Sequence, residues 1–163
     1  PYNQFLNTPS MQDFEQLFNT KLIAGKMHKM RHFQKTRLIA ASLDTYRKLL
    51  DNNQLIITPA SREDIILVTL THYWEHQIHY PNQKHEVGII LTGKPPPSKS
   101  IIEQLQKAEI PTLYTPCSSY ETMKKITSHT AKIKKDDHEK INKAIDVVEN
   151  HIDFDLLCSQ LDN

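Results

Sequence analysis

The chain has 163 residues, with 20 basic and 19 acidic side chains and a formal net charge of +1. That is enough chain to bury a core without metal or disulfide staples, and no global charge bias points to a nucleic-acid partner. No apolar run approaches the roughly 20 residues that span a bilayer, so no membrane partner is expected; two cysteines, Cys117 and Cys158, are too few for a disulfide framework and suit a reducing, cytoplasmic compartment.

Residues 1–9 read as an extended leader or linker without a secretory pattern, and the absence of an initiator Met reads as part of something longer. A single domain is expected over residues 10–161. Ser10 and Asp13 form a capping-box pattern ahead of Met11, Phe14, Leu17 and Phe18 at helical spacing. A short strand is expected at 21–24, then a basic loop over 25–35. Residues 36–41 read as a strand, and Ser42 caps a helix through Leu50. Leu55–Thr58 is a continuous apolar run of the kind covered on both faces of a sheet.

The turn Pro59-Ala60-Ser61 follows. Ser61 with Asp64 fits a capping box, so a mostly buried helix should begin near Arg62 and run to about His76. After a polar loop, residues 87–91 read as the next strand, ending in Thr92-Gly93-Lys94 and a triple proline. Ser98 caps a helix with Ile101, Ile102, Leu105 and Ala108 inward. Residues 112–115 form a short strand, and Ser118 with Glu121 opens another helix to about Thr127. Asp136 with Glu139 caps a longer helix striped by Ile141, Ala144, Ile145, Val148 and Ile152. A last short helix or turn starts near Asp153. Alternation of strand and helix from 36 to 128 predicts an α/β domain: a three-layer fold with a largely parallel sheet flanked by helices.

Few residues suggest chemistry. There is no Walker loop, GxGxxG, GxSxG or CxxC pair, and only three glycines occur; no catalytic residue and no cofactor is expected. Cys117 stands before a helix N-terminus, where a thiolate is stabilised, but no base is placed beside it. His72, His76 and His79 fall at i, i+4 and i+7, so two could share a metal on one helix face. Against this, the pattern is not H-E-x-x-H, and histidines at a helix end also suit the macrodipole. Arg62, Glu63 and Asp64 sit in the first turn of a helix that follows a strand. They could recognise an anion, or Arg62 could simply pair with a carboxylate and pin the turn. Thr92 and Gly93 end the next strand and could form a second wall of that ligand site, with Lys94 adding charge; the alternative is a turn that needs a positive φ at glycine.

Four ordered blocks carry a resemblance: ITPASREDIILVTL, VGIILTGK, IPTLYTPCSSYETMKKI and KKDDHEKINKAIDVVENHIDFDLL. Together they resemble the DRTGG domain, in the version found in the middle of long phosphate acetyltransferases, over roughly residues 10–161. The family pattern of an Asp-Arg-Glu-Asp turn, a Thr-Gly-Gly turn, a Tyr/Trp-Glu-Thr helix start and a closing Asp-Asp helix is matched here. The matching residues are Ser61-Arg62-Glu63-Asp64, Thr92-Gly93-Lys94, Tyr120-Glu121-Thr122 and Asp136-Asp137 with Lys140-Ile141. Ser61 replaces an Asp and loses its charge; Lys94 replaces a Gly and restricts the backbone. The resemblance implies a non-catalytic regulatory or oligomerising module, a homodimer, joined to a catalytic domain in the same polypeptide. It implies as an alternative a nucleotide- or metabolite-sensing module, as in pyrophosphatases with CBS pairs. A small histidine-metal enzyme on His72, His76 and His79 is the third reading.

Overall fold

The computed structural model describes residues 3–151. Residues 9–129 form one compact unit, and residues 3–8 with 130–151 belong to a second.

The first unit is built on a five-stranded sheet of order β1-β5-β4-β3-β2. Its strands are β1 (Leu22–Ala24), β2 (Lys35–Leu38), β3 (Gln54–Pro59), β4 (Val87–Thr92) and β5 (Thr112–Thr115). β2 to β5 pair in parallel, and β1 closes the far edge antiparallel to β5. β4 lies in the middle, and every one of its residues is buried. This is why VGIILT reads as an unbroken apolar run rather than an alternating one. β2 is an outer strand; Lys35 and Arg37 place charges along it, which discourages pairing with another chain.

Helices cover both faces. α2 (Leu43–Leu49), α3 (Glu63–His79) and α4 (Lys99–Lys107) lie on one, where Tyr46, Ile65, Ile66 and Ile101 pack with Ile56, Ile89 and Leu91. α1 (Met11–Phe18) and α5 (Ser119–Ser128) lie on the other, where Met11, Phe14 and Ile126 pack with Leu55, Ile57, Ile90 and Leu113. Ile56 and Ile57 point to opposite faces and are both fully buried; each such side chain contributes about 1.5–3 kcal/mol of burial. The expected three-layer α/β fold is therefore observed.

Most helix starts follow the local chemistry expected of them. Ser10 and Ser118 form complete capping boxes with Asp13 and Glu121, and Ser42 and Ser98 each accept a backbone N–H of the first turn. Two starts differ. Ser61 does not cap α3: Arg62 occupies the N-cap with φ −87° and ψ 61° and supplies no capping bond. Asp64, expected to close the box, binds the Arg62 guanidinium instead. α3 also runs to His79 rather than ending near His76, and Leu67 on it is exposed, so the helix is buried along one side only. β2 ends at Leu38, although the Ile39 N–H still donates to the Ile57 carbonyl at 2.9 Å.

In the second unit, α6 (His138–Glu149) is capped by Asp137, whose side chain accepts the Lys140 N–H; the cap is one residue later than Asp136. A single 3₁₀ turn spans Phe5–Asn7. Ile145 and Val148 of the apolar stripe are exposed. Ile152, Cys158 and the expected terminal helix with Phe154, Leu157 and Leu161 lie outside the described residues.

Candidate functional site

Because β2 to β5 run parallel, the turns that follow them gather at one edge of the sheet. In such sheets a crevice forms where neighbouring strands send their chains to opposite faces. β3 and β4 both lead into the α3–α4 layer, so no switch falls between them. β4 and β5 part company, with α4 on one face and α5 on the other. The switch point thus lies between Thr92-Gly93 and the Pro116-Cys117-Ser118 turn.

That point is bridged by hydrogen bonds. The Gly93 N–H donates to the Cys117 carbonyl at 2.8 Å, and the Tyr114 hydroxyl donates to the Gly93 carbonyl at 2.9 Å. The Thr92 and Ser119 hydroxyls stand 2.6 Å apart. On the other side the Ala60 N–H donates to the Thr92 carbonyl at 2.8 Å, tying in the turn after β3. Gly93 sits at φ +81°, and a Cβ there would meet nothing within 4 Å. Its backbone angle, not crowding, is what calls for glycine. Lys94 is exposed beside it.

Arg62 turns toward its own helix. Its Nε and Nη2 donate to the two Asp64 carboxylate oxygens at 2.9 Å each, and Nη2 also reaches the Ala41 carbonyl at 3.4 Å. The guanidinium holds the Asp64 carboxyl below the usual carboxylate range. Glu63 is exposed in the same turn. The structure therefore joins Thr92 to the turn after β3 and Gly93 to the turn after β5 through backbone bonds, and it directs Arg62 to Asp64 and Ala41. Ser119 and Tyr114 take part without having stood out in the sequence. The Ser118-Ser119 doublet carried a signal for the first: one serine caps α5 while the next is free to face back to β4.

The histidines assemble differently from their spacing. His72 and His76 both face His85, with ring centroids 4.9 and 4.5 Å away and the His76 ring stacked on it, whereas His79 lies against Tyr80. The alternative metal trio His72, His76 and His79 is thus not drawn together, two of its rings facing His85 and the third Tyr80; among the described residues no group of three or more His, Cys, Asp or Glu side chains could hold a metal ion. Burial, with His72 and His76 adding to it, pushes the buried His85 imidazole down to about 4. His72 is lowered as well, again first by burial. His85 was missed because it lies in a polar loop with no periodicity to mark it.

A cleft of about 390 Å³ lies along the side of α3, lined by Arg47, Leu50, Val68, Thr71, His72 and Glu75. It is away from the strand-end turns. No described helix is long and apolar enough to cross a membrane.

Fold and site define a three-layer α/β module whose strand-end turns are tied to one another. It is matched over residues 15–129 by the DRTGG domain, and the chain belongs to the DRTGG domain family. It is 28% identical over 160 residues to the phosphate acetyltransferase of Pseudomonas aeruginosa, which covers 96% of this chain and 22% of that protein. It is likewise 28% identical over 166 residues to the phosphate acetyltransferase of Nitratidesulfovibrio vulgaris, covering 100% of this chain and 23% of the relative. The chain thus spans less than a quarter of the length of these curated relatives. Among solved structures, it is similar to the CBS and DRTGG domains of the regulatory region of Clostridium perfringens pyrophosphatase, complexed with the activator diadenosine tetraphosphate. The TM-score is 0.58 at 18% identity, over 80% of this chain and 53% of that one.

Proposed function

We propose that this chain is a non-catalytic regulatory or oligomerising domain of a phosphate acetyltransferase-like protein. The parent reaction would interconvert acetyl-CoA and phosphate with acetyl phosphate and CoA, in the cytoplasm, on a catalytic domain of the same polypeptide. The observation that carries this reading is the alignment of nearly the whole chain with about a fifth of the phosphate acetyltransferases it matches. The mechanism is linkage: self-association of the domain, as a homodimer, biases assembly of the catalytic parts, and any effector acts by binding two arrangements unequally. A coupled assay for acetyl phosphate formation tests it. The isolated 163-residue chain is expected to show no turnover above background, and measurable turnover would overturn the assignment.

A second reading is that the domain senses a nucleotide or related metabolite. Its support is the solved relative, which carries a dinucleotide activator in a regulatory region. On this reading Arg62, Glu63, Asp64, Thr92, Gly93 and Lys94 border the ligand. Arg62 and Lys94 would supply positive charge, and Gly93 leaves open space beside the backbone. Calorimetric titration with AMP, ATP, NADH and acetyl-CoA at millimolar concentration tests it; absence of heat for all four would remove this reading and leave the first in place.

A further inference from the structure

α3 carries an apolar face that the rest of the domain leaves uncovered. Leu67, Trp74 and Ile78 are 41%, 44% and 73% exposed. With Thr71 they recur at steps of four, three and four residues, which places all four in one narrow stripe of the helix. The Thr71 hydroxyl donates to the Leu67 carbonyl at 2.9 Å, so its polar group is satisfied within the helix and its methyl can serve an apolar contact. Thr71 is also the low point of the ridge. It lines both the 390 Å³ cleft toward α2 and a 180 Å³ groove toward α4, the latter shared with Leu67 and Trp74.

The stripe is self-complementary under a two-fold axis. The midpoint between Leu67 and Ile78 is also the midpoint between Thr71 and Trp74. An antiparallel second helix centred there brings Leu67 against the partner's Ile78, and the small Thr71 against the partner's Trp74, whose indole has the flanking grooves to enter. The helix dipoles select the same direction. α3 opens with Glu63 and Asp64 in its first turn. Antiparallel packing opposes the two dipoles, whereas parallel packing would align them and stack the first-turn acids of one copy on those of the other.

We propose that α3 packs against α3 of a second copy of this chain, antiparallel about a two-fold axis between residues 72 and 73. This deepens the homodimer reading above and rests on it. A 17-residue helix is about 25 Å long. One face of that length with its rims is smaller than the roughly 800 Å² per partner of a standard stable complex. The dimer is therefore reversible and dissociates on dilution.

Trp74 is the only tryptophan of the sequence, so its fluorescence reports this interface directly. The experiment dilutes the 163-residue chain from about 500 to about 1 μM, spanning a micromolar dissociation constant, and follows mass by light scattering with tryptophan emission. Mass is expected to fall from dimer to monomer as emission moves to longer wavelength over the same concentrations. Ile78→Glu keeps the reporter; it is expected to weaken association at least about tenfold and to move the mass and emission transitions together to at least about tenfold higher concentration. Leu67→Glu repeats that test at the other end of the stripe, and Tyr120→Glu, at an exposed position on α5, is expected to leave association unchanged. Circular dichroism verifies that each variant is folded. A chain monomeric at every concentration would overturn both this interface and the homodimer reading. A dimer that ignores Ile78→Glu and Leu67→Glu, or whose emission does not follow mass, would overturn the α3 interface and leave the homodimer reading standing.

Discussion

Arg62 grips Asp64 through two 2.9 Å contacts across the start of α3, so the guanidinium at the edge of the sheet is already engaged by a carboxylate of its own chain. Any anion that used Arg62 would have to compete with that carboxylate. The pair is solvent-accessible, and such pairs are worth at most about 1 kcal/mol.

Asp64→Asn removes the competitor and keeps the shape. Stability is expected to fall by no more than about 1–1.5 kcal/mol, counting the lost acid at the positive helix end. On the sensing reading, AMP or acetyl-CoA should bind more tightly to Asp64→Asn than to the parent chain, and Arg62→Ala should abolish binding to both. Equal heats for parent and Asp64→Asn would place Arg62 outside any anion site and make it a local pin of the turn.

The same pair shows where the sequence misleads. S-R-E-D before an apolar run satisfies the spacing of a capping box, and the four serine-led starts at Ser10, Ser42, Ser98 and Ser118 were legible on that local rule. At Ser61 the rule loses because Arg62 offers Asp64 two charge-assisted bonds, against a single backbone N–H from the cap. Sheet and layers were legible because burial writes itself into LIIT and VGIILT. The ties among Thr92, Gly93, Tyr114, Cys117 and Ser119 were not, since they join turns that only the parallel register brings together. The His85 cluster was hidden for the same reason.

Tyr46 and Thr69 connect α2 to α3 inside the core. Their hydroxyls stand 2.6 Å apart, and Thr69 donates onward to the Ile65 carbonyl at 2.8 Å. The Tyr46 hydroxyl must therefore donate, and burial pushes its ionisation up to about 12. Thr69→Val leaves that hydroxyl buried without an acceptor and is expected to cost about 1–3 kcal/mol in urea unfolding. Tyr46→Phe removes the stranded group, so adding it to Thr69→Val should recover part of the loss. A double variant as unstable as the sum of the singles would show that the bond contributes nothing.

His85 makes stability depend on mild acid. Its partners are the His72, His76 and Tyr73 rings of α3 and, from the turn before β3, the Asp51 carboxylate, which alone favours protonation. A histidine whose folded pKa is depressed binds its proton less tightly than the unfolded chain does. Its stabilising contribution is thus complete above about 6.5 and is lost as pH falls toward about 4. Between pH 6.5 and 5, above the range in which lowered carboxyls such as Asp51 and Asp64 titrate, the urea midpoint should fall steadily. His85→Phe, which keeps a ring in the stack, should flatten that slope; an unchanged slope would assign the acid sensitivity elsewhere.

Two glycines at positive φ separate backbone strain from crowding. At Gly25, φ is +59° and a Cβ would lie 2.4 Å from Pro111 N, 2.5 Å from the Ile110 carbonyl carbon and 2.6 Å from the Glu109 carbonyl oxygen. All three obstacles are backbone, at the turn that brings β5 beside β1, so they cannot swing aside. At Gly93 only φ is unfavourable and the space is empty. Gly93→Ala is therefore expected to cost about 1–2 kcal/mol, the left-handed penalty of an L-residue, and to leave the fold intact. Gly25→Ala adds displacement of a buried turn and should cost clearly more, about 3 kcal/mol or above, with strain and overpacking summed. Chemical denaturation of the two variants side by side measures the difference; equal losses would mean that the Glu109–Pro111 turn yields freely and does not fix the position of β1.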